Sequence, residues 1–450
     1  MLKKRYFQRE LLALHLSSKK GYDGNMLDVE LLRGQSEKVK QGIAAKGADP
    51  KLVDEFLKLD EEWRKLTKDI GEKRGEQKKL SEKRDIEGGK KNKEEIKSLE
   101  EKIGGIEKKR EEVWLKIPNL PSEDTPVGKD ESANKVLRKN GEPKKFDFKP
   151  KDHVALGEAL GIIDIESAGK ISGSRFVYLK GDAVLLEFAL IQYGLEILTN
   201  PKIIESIASG VKPGYHAGTF VPVLVPDMIR PEVFQKMARL EPKEERYYIP
   251  SDDLYLIGSA EHTMGPLHMD ETIPENKLPI RYVGFSTSFR REAGSYGKDV
   301  RGILRMHQFD KLELESFTVP EDGVAEQEFL VAIQEYIMWS LELPYQVVMC
   351  STGDQGDPDA RHIDIEAWIP SENKYRETHS ADYMGDYQAR RLGTRVRRKD
   401  GKVEFVHMND ATAIAMSRTP LAIIENYQTK DGKIEIPKVL QKYVGKEIIG

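Results

Sequence analysis

Residues 285–317, FSTSFRREAGSYGKDVRGILRMHQFDKLELESF, set the architecture of this chain. The second half alternates: Leu304, Met306, Leu312 and Leu314 fall on one side of an extended segment, and Arg305, His307, Phe309, Lys311 and Glu313 on the other. The first half, Tyr282 to Glu292, also reads as a strand and delivers Arg290, Arg291 and Glu292 at its end. Gly294, Gly297 and Gly302 mark a connection between the two. The stretch therefore predicts a long antiparallel hairpin with one apolar face. The polar face has two readings. One is a solvated sheet face held by cross-strand ion pairs. The other is a ligand surface, on which guanidiniums take phosphate or carboxylate, Phe309 offers a stacking ring and Glu313 accepts from an amine.

The strings F-R-R-E-A-G (289–294) and R-G-I-L-R-M-H-Q-F-D-K-L-E (301–313) resemble motif 2 of the class II aminoacyl-tRNA synthetases, within them the bacterial-type seryl-tRNA synthetases. The resemblance implies an α+β fold: an antiparallel-sheet catalytic domain carrying an N-terminal antiparallel coiled-coil arm. Phe220–Pro226 reads as a buried strand ending in proline and resembles motif 1, whose family role is a homodimer interface. Met408–Pro420 resembles motif 3, a strand leading into a helix with Pro420 in its first turn.

The 450 residues suffice for two or three domains. Charged residues make up 33%, which long exposed helices would explain. Lys+Arg 72 against Asp+Glu 76 gives net charge -4, so a nucleic-acid partner requires a local basic patch. The single Cys350 excludes an internal disulfide and a multi-cysteine zinc site and suits a reducing, cytoplasmic compartment. No apolar run approaches the ~20 residues that span a membrane.

Residues 1–25 are basic around a short apolar patch. They read either as an organellar targeting helix or as a floppy extension or upstream start, since Met26-Leu27-Asp28 resembles the beginning of a bacterial member of the family. Asp28 then caps a short helix. From Leu52, apolar residues step in fours and threes through Phe56, Leu59, Trp63, Leu66 and Ile70; a Gly88-Gly89 turn follows, and the rhythm returns through Ile96, Leu99, Ile103, Ile106 and Val113 with Arg110 in an apolar slot. Two heptad helices joined by a glycine turn predict an antiparallel coiled coil on the order of 50 Å long. Positive charge gathers at its tip: nine Lys and Arg against four acids between 73 and 93. A charge run reads first as a solvated face; on a projecting rod it also suits a probe for nucleic-acid backbone. The resemblance implies the second, with Lys78, Lys79, Lys83, Arg84, Lys90 and Lys91 contacting tRNA. The expected organisation is a 1–25 extension, an arm over 26–117, a Pro/Gly/charged linker over 118–150 and a catalytic domain over 151–450.

The remaining site residues come from the resemblance. It implies that Arg290 bridges the serine carboxylate and the α-phosphate, and that Arg418 holds the far end of ATP. Arg291, Glu292 and Met306 belong to the nucleotide site, and Phe309 stacks on adenine with Arg305 near the phosphates. Glu377, Thr378, His379 and Ser380 form a further ATP segment at a strand end, with Glu377 and Ser380 supporting Mg²⁺. Glu313 takes the substrate ammonium, and Ser259, Ala260, Glu261 and Thr412 line the serine pocket, Ser259 standing where threonine is usual. Asp410 stands where asparagine is typical. The implied activity is ATP-dependent activation of L-serine and its transfer to tRNA(Ser), and to tRNA(Sec) where present, by a homodimer. Two alternatives remain: a non-catalytic tRNA-binding paralogue, and an amino-acid ligase for a carrier protein.

Overall fold

The computed structural model describes residues 28–211, 214–215, 218–293 and 302–450. The expected 1–25 extension, Gly294 and Gly297 lie outside these. The chain divides into two compact units, Asn25–Pro121 and one that takes in Ser122–Gly450.

In the first unit Asp28 caps a helix at Val29–Gly34, accepting from the Glu30 amide at 3.1 Å. Two long helices follow, α1 (Lys51–Glu82) and α2 (Ile86–Trp114), of 32 and 29 residues. They pack against one another as an antiparallel pair. The turn differs from expectation. Gly88 and Gly89 lie inside α2, because Asp85 caps that helix by accepting from the Gly88 amide (2.9 Å), and the chain reverses at Arg84 in the left-handed region, φ 54. Arg110 in its apolar slot has a partner that periodicity did not offer. Its Nε donates to Asp60 Oδ1 at 2.9 Å while its guanidinium lies 5.0 Å from the Phe56 ring and 5.1 Å from the Trp63 ring. Asp60 is fully buried and also meets Arg33 (2.8 Å) and Arg64 (3.2 Å). Three guanidiniums make a carboxylate tolerable in the seam.

The second unit is built on eight strands: β1 (Lys135–Asn140), β2 (Val221–Leu224), β3 (Ile280–Phe289), β4 (Gln308–Thr318), β5 (Tyr345–Met349), β6 (Arg361–Ile369), β7 (Lys374–Gly385) and β8 (His407–Ala415). Their spatial order is β1-β5-β6-β7-β8-β4-β3-β2, antiparallel except for the parallel β2–β3 pair. The apolar face of β4, with Leu312 and Leu314 fully buried, joins a core that includes residues of helices α3 (Asp182–Thr199) and α4 (Gly323–Ser340). Leu312 approaches α3 so closely that a Cβ on Gly194 of that helix would lie 2.8 Å from Leu312 Cδ1.

Four expectations change. The 118–150 stretch is not a linker throughout, since β1 within it pairs with β5 as an edge strand. The motif 1 segment is an edge strand with Val221 55% and Leu224 82% exposed; only Phe220 is buried. The run Phe176-Val177-Tyr178-Leu179, which by itself reads as a strand, is extended only over Tyr178–Leu179 and is preceded by a helix at Ile165–Ser172. β4 begins at Gln308, so the alternation over 304–307 is carried by bends rather than a strand.

Candidate active site

The register across the sheet aligns the polar face into rows. Asp364 on β6 pairs with Ser380 on β7, and Thr412 on β8 pairs with Glu313 on β4. Ser380 Oγ and Thr412 Oγ1 lie 3.3 Å apart and close the gap between the halves. One row, Asp364–Ser380–Thr412–Glu313, thus crosses four strands. Glu377 and Ser380 sit within β7 rather than at a strand end, because β7 runs on to Gly385.

Above this row opens a cleft of about 520 Å³. Arg290, Glu292, Arg305, Met306 and Phe309 line one side, and Glu377, Thr378, Ser380, Thr412 and Arg418 the other. β3 ends one residue before Arg290, whose Nε donates to the Gly258 carbonyl (3.2 Å) and whose guanidinium lies 5.4 Å from the Phe309 ring. Glu292 adopts φ 53, a conformation costing on the order of 1 kcal/mol. That turns its carboxylate to accept from Arg305 Nη1 at 3.1 Å. Arg418 opens helix α5 (Arg418–Asn426) and pairs through Nη1 with Glu377 Oε1 at 2.5 Å. Guanidiniums on both sides of an open cleft, with the Phe309 ring beside one of them, suit a polyanion bearing a flat base.

Two residues expected at the nucleotide are not at the cleft. His379 is fully buried, its Nδ1 2.8 Å from Thr378 Oγ1, and burial drives its pKa down to about 3. A β-bulge opposite Ile365/Glu366 shifts the alternation here, so Thr378 lines the cleft instead. Arg291 is exposed, its guanidinium 5.5 Å from the Tyr247 ring.

Ser259, Ala260 and Glu261 are buried at the start of a short helix, Glu261–Met264. Gly284 on β3 admits that helix: a Cβ there would lie 2.6 Å from Met264 Sδ and 3.0 Å from Ala260 Cβ. Lys311, to which sequence reasoning gave no role, connects the parts. Its Nζ lies 2.5 Å from Glu313 Oε2 and donates to Ser259 Oγ at 3.1 Å. Burial nevertheless pushes the Glu313 carboxyl up to about 8. Burial would raise Glu261 as well, but Lys311, His262 and Arg239 outweigh it and hold that carboxyl well below the usual range. A buried acid poised in this way gains strongly from a ligand ammonium.

The N-terminal unit matches the family model of the seryl-tRNA synthetase N-terminal domain over residues 26–121, and residues 246–427 match the class II core domain of tRNA synthetases (G, H, P, S and T). The serine–tRNA ligase of Pseudothermotoga lettingae is 40% identical over 94% of this chain and 100% of its own length. The chain belongs to the seryl-tRNA synthetase family. The relative from Fervidobacterium nodosum is 42% identical, with 94% and 99% covered. Among solved structures, the seryl-tRNA synthetase from Pyrococcus horikoshii complexed with ATP superposes with a TM-score of 0.85 at 37% identity, covering 94% of this chain and 99% of that one. The cytoplasmic serine–tRNA ligase from Naegleria fowleri in complex with AMP gives 0.84 at 31%, covering 95% and 99%.

Within this seryl-tRNA synthetase fold the anomalous Asp410 has a counterpart, Arg239, whose Nη2 lies 3.0 Å from Asp410 Oδ2. Arg239, His362, Asp364 and Asp382 escaped the sequence reading. The alternation His362-Ile363-Asp364-Ile365-Glu366 signalled a polar face, but not what stood opposite it. At the basic tip Lys78, Lys79, Lys83, Arg84, Lys90 and Lys91 are all exposed. Lys73 instead pairs with Glu76 and Glu95, and Arg74 with Glu100.

Proposed function

We propose that this chain activates L-serine with ATP and transfers it to tRNA(Ser). The observation that carries the reading is that Lys311 and Thr412, which line the polyanion cleft, reach the buried polar groups beside it, Lys311 meeting both Glu313 and Ser259 and Thr412 pairing with Glu313 across the strands. A substrate carboxylate placed between the cleft and those groups lies beside Arg290. Its oxygen attacks the α-phosphorus in line and pyrophosphate leaves; the terminal ribose hydroxyl of tRNA then attacks the seryl carbonyl and AMP leaves. No protein nucleophile is required. Arg290 and Arg418 align the anions and offset charge that grows in the transition state. Phe309 stacks on adenine, with Arg305 and Glu292 at the nucleotide. Glu313 takes the ammonium, while Ser259, Glu261 and Thr412 read the hydroxyl; such a site rejects an analogue lacking it.

Glu377 and Ser380 offer a carboxylate and a hydroxyl, hard oxygen donors that fit Mg²⁺ alongside phosphate oxygens. Bound there, the ion would shield the phosphate charge. The exposed tip suits tRNA backbone. The apolar edge of β2, with Leu185 and Phe188 exposed on α3, suits a second copy of the chain, consistent with a homodimer. Among the described residues no helix is long and apolar enough to cross a membrane; a cytoplasmic location fits the reading.

Serine-dependent ATP–pyrophosphate exchange tests the proposal, with alanine, threonine and cysteine as controls. Exchange with serine far above all three is expected; no exchange with any of them overturns it.

A further inference from the structure

A second polar row lies two residues along each strand from the first. His362 on β6 is opposite Asp382 on β7, Asp382 opposite Asp410 on β8, and Asp410 opposite Glu315 on β4. All four are largely buried. Two cations knit the row together. His362 contacts Asp364 Oδ1 through Nε2 (2.8 Å) and Asp382 Oδ1 through Nδ1, so β6 is tied to β7 and this row to the first. Arg239 enters from outside the sheet, in the segment after a helix at Pro231–Lys236. Its Nη2 is 3.0 Å from Asp382 Oδ2, 3.0 Å from Asp410 Oδ2 and 3.4 Å from Asp359 Oδ1. One guanidinium therefore bridges β7 and β8 where two aspartates face each other.

Without that bridge, directly opposed carboxylates would repel. The strands that would part are those carrying Ser380 and Thr412, whose hydroxyls meet at 3.3 Å one step away. The effect is graded along β7 and β8: Thr412 and Ser380 lie two residues from the clamped pair, Glu377, which meets Arg418, lies five residues away, and Arg290 hangs beyond β3.

We propose that Arg239 is a positioning residue for the amino-acid subsite. By clamping Asp382 to Asp410 it fixes the spacing of β7 and β8, and with it the Ser380–Thr412 pair and the seat of Thr412 opposite Glu313. This rests on the reading of Thr412 and Glu313 as parts of the serine site. Arg239 touches no substrate and sets how tightly serine, rather than ATP, is held.

The test is exchange kinetics with serine and ATP varied independently in Arg239→Met, Arg239→Lys and the double variant Arg239→Met/Asp410→Asn, with a thermal melt of each. Arg239→Met is expected to raise the KM for serine by about 50-fold while the KM for ATP stays within about threefold. The double variant is expected to recover about tenfold of this, because an amide at 410 donates to Asp382 where a second carboxylate repels it. A merely structural role gives a lower melting temperature and parallel losses for both substrates, with no recovery, and overturns the proposal. Where Arg239→Met does not fold, Arg239→Lys decides: an ammonium cannot bridge as the planar fork does, so the serine KM is expected to rise about five- to tenfold. An unchanged serine KM in that variant overturns the proposal. Wild-type protein that exchanges no serine overturns the functional reading instead.

Discussion

Each unit of the molecule buries an ion cluster around one central charge, and the two are inverted. In the arm a single carboxylate, Asp60, faces Arg33, Arg64 and Arg110. In the class II unit a single guanidinium, Arg239, faces Asp359, Asp382 and Asp410. The physics is shared: burying charge is costly, a cluster repays that cost roughly, and removing the central ion leaves the charges around it less compensated. What differs is the neighbour. Asp60 lies in a helix seam among Phe56 and Arg110, whereas Arg239 stands one row from Ser380 and Thr412. Similar clusters should therefore be read out differently, one in stability and the other in substrate affinity.

The largest effect separating the two units is expected from Arg290→Ala. It removes a group proposed to align carboxylate and phosphate, so exchange should fall by about 100- to 1,000-fold. The melting of the arm should not change. Exchange within tenfold of wild type would remove Arg290 from its role.

Replacing residues 73–93 by a short turn that recloses α1 onto α2 inverts that result. Exchange should be almost unchanged, while aminoacylation falls by about 100-fold through lost phosphate contacts. The residual tRNA affinity should depend less steeply on salt, by about one unit of log–log slope per contact. Wild-type charging by the shortened protein would make the tip only a solvated end.

Asp60→Ala addresses the arm's cluster directly. Breaking a fully buried pair costs about 3–5 kcal/mol; because Arg33, Arg64 and Arg110 are part exposed, about 2–4 kcal/mol is expected here. Denaturant unfolding followed at Trp63 would measure it, and exchange should be unaffected. A loss of exchange in step with the loss of stability would mean that the units do not act separately.

The smallest effect is in pH, where the two clusters' surroundings titrate oppositely. Burial would raise Asp60, but Arg33 and Arg110 outweigh it and hold it below its ordinary 3.8. Its contribution to stability is present above that value and is lost as pH falls through the lower folded pKa. Glu313 is raised from 4.5 to about 8, so between those values the native state binds a proton that the unfolded chain does not. Stability then falls as pH rises through this window, and Glu313→Gln should flatten the slope. Serine affinity should run the other way, improving a few-fold as pH rises toward 8, because the ammonium prefers the ionised carboxylate. A serine KM independent of pH from 6 to 8 would place Glu313 in the wrong subsite.

Much of this architecture was legible in the chain. The alternation around Phe309, Lys311 and Glu313 gave the hairpin and its two faces, and the fours and threes from Leu52 gave the arm, because side-chain period is a local property of each backbone conformation. Motif strings brought Arg290, Glu313 and Arg418 forward. The Asp85 cap, by contrast, stands in the sequence three residues before a glycine pair that signals a turn of its own.

Tertiary structure alone decided which residues share a row. Register is a relation between distant segments, and bulges at Leu312/Glu313 and opposite Ile365/Glu366 shift it by one residue. That shift buries His379 and brings Thr378 to the cleft. The same holds for the ion clusters. Asp60 and Arg110 are 50 residues apart, and Arg239 and Asp410 are 171 apart. A charged residue in an apolar slot shows in the sequence that something must compensate it, but only the folded chain, which brings the opposite charge to within 3 Å in a dry interior, names what does.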